Sequence, residues 1–204
     1  MTLLNWLSLA AVCSLGAMSP GPSLAVVIKH TVNGSRLQGI ATAWAHAIGI
    51  GLYACLTVFG LAVLLTRQPA LFQAVTWAGA GYLLWLGFKA IRAGRYKPDP
   101  KVSASAIVSL ADATRDGMMI SLLNPKIALF FIALFSQFVS VDSSASERWL
   151  MAATAFMIDG GWYTIVAVVL SHSAILSRFR ANGHWVDRIC GLLFIAIAAR
   201  ILLA

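Results

Sequence analysis

Long apolar runs alternate with short polar islands along this chain. The apolar runs cover about 3–28, 38–65, 70–90, 117–140, 149–174 and 189–203. The islands hold Lys29, His30 and Arg36, then Arg67-Gln68-Pro69, then a longer polar stretch over 92–115. Two more follow, with Asp142, Glu147 and Arg148, and with Arg178, Arg180, His184, Asp187 and Arg188. A helix needs roughly 20 apolar residues to cross the ~30 Å hydrocarbon core. The pattern predicts an all-α membrane protein with six transmembrane helices, the last one short. Six spans use most of the 204 residues, so the chain reads as one transmembrane domain over 1–204. No Lys or Arg precedes the first run, which reads as a span rather than a signal peptide.

Two of the spans carry breaks. Ser19-Pro20-Gly21-Pro22-Ser23 interrupts the first and Asn124-Pro125-Lys126 the fourth. Proline removes a backbone donor and disfavours a continuous helix by about 3 kcal/mol or more. In hydrocarbon the freed backbone groups need other partners, so such breaks persist where they line a cavity or pack against protein. Ser19 and Asn124 are cap-type residues and Pro20 and Pro125 suit the first helical position, so a half-helix is expected to start at each. The two breaks sit in corresponding places of two halves, about 1–95 and about 112–204, joined by a cytoplasmic linker. Three spans per half gives the halves opposite orientations. This predicts two inverted three-helix repeats with helices 1 and 4 broken.

Charge placement adds an orientation. The composition is 60% hydrophobic and 11% charged with a net charge of +8, against about 25% charged in soluble domains. The basic residues sit at span ends, the pattern of topology signals and not of a nucleic-acid stripe. Loops one, three and five hold eleven Lys and Arg, and loops two and four with the C-terminal end hold three. The bias places loops one, three and five in the cytoplasm and both termini outside. The exception is Lys126, the fifteenth, inside a span.

Lys126 costs at least ~2.5 kcal/mol to hold at depth. Beside two half-helix N-termini, whose dipole ends favour negative charge, it suits a carboxylate. Ser19, Pro20, Gly21, Pro22, Ser23, Asn124, Pro125 and Lys126 are therefore the expected substrate site, with Trp44 and His46 of the second span setting preference. Asp159 lies well inside the fifth span and His46 inside the second, and both are candidates for carrying protons. Asp159 is also the candidate acceptor for a substrate ammonium. Asp112, Arg115 and Asp116 are expected to form a local ion pair at the mouth of the fourth span. Cys13, Cys55 and Cys190 are far apart and read as packing residues. The sequence has no Walker loop, dinucleotide fingerprint or zinc spacing, and it suggests no nucleophile with a matching base, so no enzyme, metal site or cofactor is expected.

Three stretches carry a family resemblance over the whole chain. They are Met18-Ser19-Pro20-Gly21-Pro22 with the Gly34–Arg36 turn, Trp77 through Gly87, and Leu123-Asn124-Pro125-Lys126 through Phe131, followed by Gln137-Phe138-Val139. In order and spacing they resemble the LysE/RhtB family of amino-acid exporters. The resemblance implies a secondary, proton-driven exporter of amino acids or close derivatives. It implies a multi-pass protein of the bacterial inner membrane, with a small-molecule substrate, protons and lipid as partners, and a homo-oligomer as one form it can take. The sequence departs from the family's pattern at Ser23, where relatives often have Asp, Asn or Gly, and at Trp44-Ala45-His46, where they are glycine-rich and apolar. Asp159 matches no family motif. The alternative is export of a metal cation or another small metabolite.

Overall fold

The computed structural model describes residues 1–19, 21–92, 109–169 and 173–203, the last stretch by backbone alone at 173–184 and 186. Pro20 and the linker charges Arg95, Lys97, Asp99 and Lys101 lie outside the described residues. Every element within them is helical: α1 Leu3–Met18, α2 Pro22–Asn33, α3 Arg36–Arg67, α4 Pro69–Arg92, α5 Leu110–Leu122, α6 Pro125–Phe135, α7 Ala145–Val169 and α8 Ser173–Leu203. Five starts carry side-chain caps. Thr2, Ser35, Ser109, Asn124 and Ser144 each accept a hydrogen bond from an amide of the turn they open, which meets donors that a helix start leaves free.

Helices α3, α4 and α7 are long and apolar enough to cross a membrane, and α1 with α2 and α5 with α6 can each serve as one bent span, giving five. The bends are 60° across Pro20 and 53° at Leu123–Asn124. The sixth expected span is the apolar half of α8, which packs along α4. It falls short of a full span because a stretch of that length takes in Asp187, Arg188 and Arg200.

Several predicted boundaries move. The fifth loop does not form: α8 runs through Arg178, Arg180, His184, Asp187 and Arg188 as helix. That island has no proline, and charged residues mark a polar environment without interrupting a backbone. Lys29 and His30 likewise belong to α2, and only Gly34 and Ser35 connect it to α3. Asp112 and Arg115 fall in α5. The fourth span ends at Phe135, Gln137 and Phe138 follow it in a turn, and Val139 lies just beyond. Ser19 caps the end of α1 and does not start α2, which begins at Pro22 after the extended Gly21.

The contacts fix relative directions. Trp6 Nε1 donates to Thr154 Oγ1 at 3.1 Å, and Cys13 and Asp159 border one cavity, so α1 and α7 run parallel. Thr42 Oγ1 donates to the Ala113 carbonyl at 3.1 Å and the Tyr53 hydroxyl to that of Leu122 at 2.7 Å, so α3 and α5 are also parallel. Gly39 meets Ala167 and Phe59 meets Trp149, so α3 and α7 are antiparallel. The first helix of each half thus lies along the long middle helix of the other, as two halves of opposite orientation require. Small residues permit this closeness. A Cβ at Gly117 would stand 2.4 Å from the Thr42 carbonyl oxygen, and one at Gly87 would stand 2.7 Å from that of Gly191.

Candidate functional site

The two breaks meet. Lys126, at the second position of α6, extends Nζ to donate to Ser19 Oγ at 3.3 Å. Gly21 lies beside the same ammonium group, which a Cβ there would approach to 3.9 Å. Asn124 holds the start of α6 by accepting from the Lys126 amide at 3.1 Å, and the Ile127 amide donates to the Asn124 carbonyl at 3.0 Å. The first-turn donors of α6 are therefore already engaged, contrary to the expectation that this end offers bare amides. What α6 presents is the Lys126 ammonium. The start of α2 differs, since Gly21 makes no side-chain cap.

A cavity of about 70 Å³ opens between the breaks, room for several waters. Ser19, Gly21, Pro22, Ser23, His46, Asn124, Lys126 and Asp159 all border it. Two expected site residues do not. Trp44 packs on Gly160 and on Phe156, whose ring is 5.5 Å away. Two residues before His46 on one helix lies roughly 200° round, so the two side chains point apart. Pro125 is exposed, one step from both lining neighbours.

His46 joins three helices. Its Nδ1–H donates to Asp159 Oδ2 at 2.7 Å, and its Nε2 accepts from Ser23 Oγ at 2.8 Å. With Asp159 ionised and the ring neutral, Nδ1 carries the proton and Nε2 accepts. His46 is 2% exposed and Asp159 5%. The Tyr163 ring stands edge-on to the imidazole at 5.2 Å. No single stretch of sequence links positions 23, 46 and 159, which come together only in the fold. Tyr163 and Ile50 also border the cavity. Their signal was present: each lies four residues after a polar lining residue, Asp159 and His46, on the same helix face.

A second polar cluster ties α2 to α5. Lys29 Nζ and His30 Nε2 both donate to Asp116 Oδ2, at 3.1 and 2.9 Å. Asp116 thus reaches across to the other half and does not form the expected ion pair within α5, while Asp112 accepts from Ser109 Oγ at its helix start. The cysteines carry no disulfide. Cys13 and Cys190 are buried, and the Cys190 thiol donates to the Leu15 carbonyl at 3.0 Å.

The sequence has recognisable relatives. A family model described as LysE type translocator matches residues 14–204. The threonine efflux protein of Salmonella typhi is 26% identical over 99% of both chains, and that of Escherichia coli strain K12 is 25% identical over the same shares. The leucine efflux protein of Klebsiella pneumoniae is 29% identical over 98% of this chain and 95% of that one. No solved structure matches.

Proposed function

Because the chain belongs to the LysE type translocator family, we propose that it exports amino acids or close derivatives across the bacterial inner membrane in exchange for protons. One observation carries the reading: the Lys126 amine and the Asp159 carboxyl border the same cavity between two broken helices. An amino acid is a zwitterion. Its α-carboxylate suits Lys126, Ser19 and the uncapped start of α2, whose dipole end favours an anion. Its ammonium suits Asp159. Residues 1–95 and 112–204 serve as the two repeats, moving against each other around this site.

Exchange follows from competition. Ionised Asp159 holds the ammonium group, and protonated Asp159 does not. A proton entering by His46 therefore displaces the substrate, and a substrate entering displaces the proton. His46 transfers it because its two nitrogens already touch Asp159 and Ser23 and can exchange donor and acceptor roles. The relatives named for threonine and leucine efflux support an amino-acid cargo. Metal export finds less support, since no group of three or more His, Cys, Asp or Glu that could hold a metal occurs among the described residues.

Purified protein in liposomes should move labelled threonine or leucine when only a pH gradient is imposed, without ATP. Flux that ignores both a pH gradient and a membrane potential would refute proton exchange. The Ser23–His46–Asp159 order also matches that of a nucleophile, base and orienting acid. A fluorophosphonate probe separates the readings: a relay leaves Ser23 unlabelled, whereas stoichiometric labelling at Ser23 would favour acyl transfer.

A further inference from the structure

We infer that the cavity takes amino acids with uncharged, aliphatic side chains, and that Phe130, seated on Gly16, sets the upper limit on side-chain size. This rests on the reading of the cavity as an amino-acid site and adds what that reading leaves open, the class of side chain.

The charges in the lining are few. Lys126, Asp159 and His46 are the only Lys, Arg, Asp, Glu or His side chains among its described residues. Lys126 and Asp159 are matched by the backbone charges of any amino acid, and His46 is already bonded on both sides. A third charge, on a lysine, arginine, aspartate or glutamate side chain, would enter with no counter-charge. A buried charge without a partner is strongly disfavoured.

Ser19, Ser23, Asn124 and Tyr163 add uncharged polar groups, and the larger part of the remaining wall is apolar. Phe130, Phe131, Ile127 and Ile50 border it with Phe194 of α8. Phe130 is the piece of that wall seated directly on α1. A Cβ added at Gly16 would stand 2.7 Å from Phe130 Cζ, so the ring rests on the bare backbone of α1. On other sides it meets Phe131 at 5.5 Å and Phe194 at 5.6 Å between ring centres. It cannot retreat toward α1. Gly16 itself borders the cavity, so a methyl group there must displace the ring or take up cavity space, and loss of the ring opens the space it fills.

The test uses wild type, Gly16→Ala, Phe130→Leu and Phe130→Ala in liposomes. Export of alanine, leucine, phenylalanine and lysine is read from each preparation. Ratios within one preparation cancel differences in yield and folding. Wild type should export leucine well above phenylalanine, and lysine at background. Phe130→Ala should raise the phenylalanine-to-leucine ratio about tenfold, the usual scale for a change in pocket volume, with Phe130→Leu between. Gly16→Ala should lower the leucine-to-alanine ratio. Lysine export at the leucine rate, or ratios unmoved in Phe130→Ala, overturns the inference. Thermal protection of the detergent-solubilised protein by each amino acid reads binding separately. Protection by leucine that passes to phenylalanine in Phe130→Ala, in a protein that transports neither, upholds the inference and refutes the export reading. A wild type that leucine neither protects nor crosses refutes both.

Discussion

Lys126 and His46 border the same cavity but answer to different parts of the proposed cycle. The Lys126 ammonium is a fixed cation at the start of α6, and nothing about its place ties it to one side chain of the cargo. Truncating one member of a buried charge pair costs roughly 2–5 kcal/mol. Lys126→Ala should therefore lower export of every amino acid by at least about thirtyfold, that free energy taken as a rate. His46 is different, because its contribution is the transfer of a proton. His46→Gln keeps hydrogen-bonding groups beside Asp159 and Ser23 and removes the titration. Export should persist in that variant with a flattened dependence on pH. Export rates at several pH values test both arms: full activity in Lys126→Ala, or a wild-type pH profile in His46→Gln, removes that residue from its role. The lone Lys126 was legible in the sequence because a cation inside an apolar run is costly. The link between Ser23, His46 and Asp159 was not, because residues on three helices come together through helix register, which hydropathy does not encode.

The helices are held close by absent side chains. At the α3–α5 crossing Gly117 faces the backbone of Thr42, whose carbonyl oxygen would lie 2.4 Å from an added Cβ. A backbone cannot swing aside as a side-chain tip can, so even Gly117→Ala overpacks the crossing, at about 1–3 kcal/mol. For a chain of this size that is a fall of roughly 3–10 °C in melting temperature. Gly81→Ala supplies the control, since an added Cβ there meets nothing within 4 Å. Melting curves of the two purified variants that coincide would show that the crossing yields, and that the close approach does not matter. The same scale shows what sequence punctuation conveys. Proline after a cap-type residue located both breaks, because proline acts on the backbone itself. Charge misplaced the end of the fifth span and the start of the last. Arg178, Arg180 and Asp187 change the preferred surroundings of a helix and leave its hydrogen bonds intact, so α8 continues through them.

For the molecule as a whole, the directions of the helices and the distribution of charge bear on one another. Parallel α1 and α7, parallel α3 and α5, and antiparallel α3 and α7 require the turn after α2 to lie on the opposite side from the turns after α3 and α6. The charge count then decides which side is which. Lys29 and Arg36 flank the turn after α2, whereas Arg67 and Arg148 stand alone near the other two. Positive residues are retained in the cytoplasm, so Gly34-Ser35 should lie inside and Gln68 and Ser143 outside. Extending α8 through its basic stretch does not alter this, since Arg178, Arg180 and Arg188 stay at the end of α8 that follows α7. Single cysteines test the arrangement in a variant lacking Cys13, Cys55 and Cys190 and verified to transport. A membrane-impermeant maleimide added to intact cells should label Gln68→Cys and Ser143→Cys. Ser35→Cys and Lys97→Cys should react only after the membrane is opened. Labelling of Ser35→Cys in intact cells would invert the whole arrangement and put the Lys29–His30–Asp116 cluster at the outer mouth.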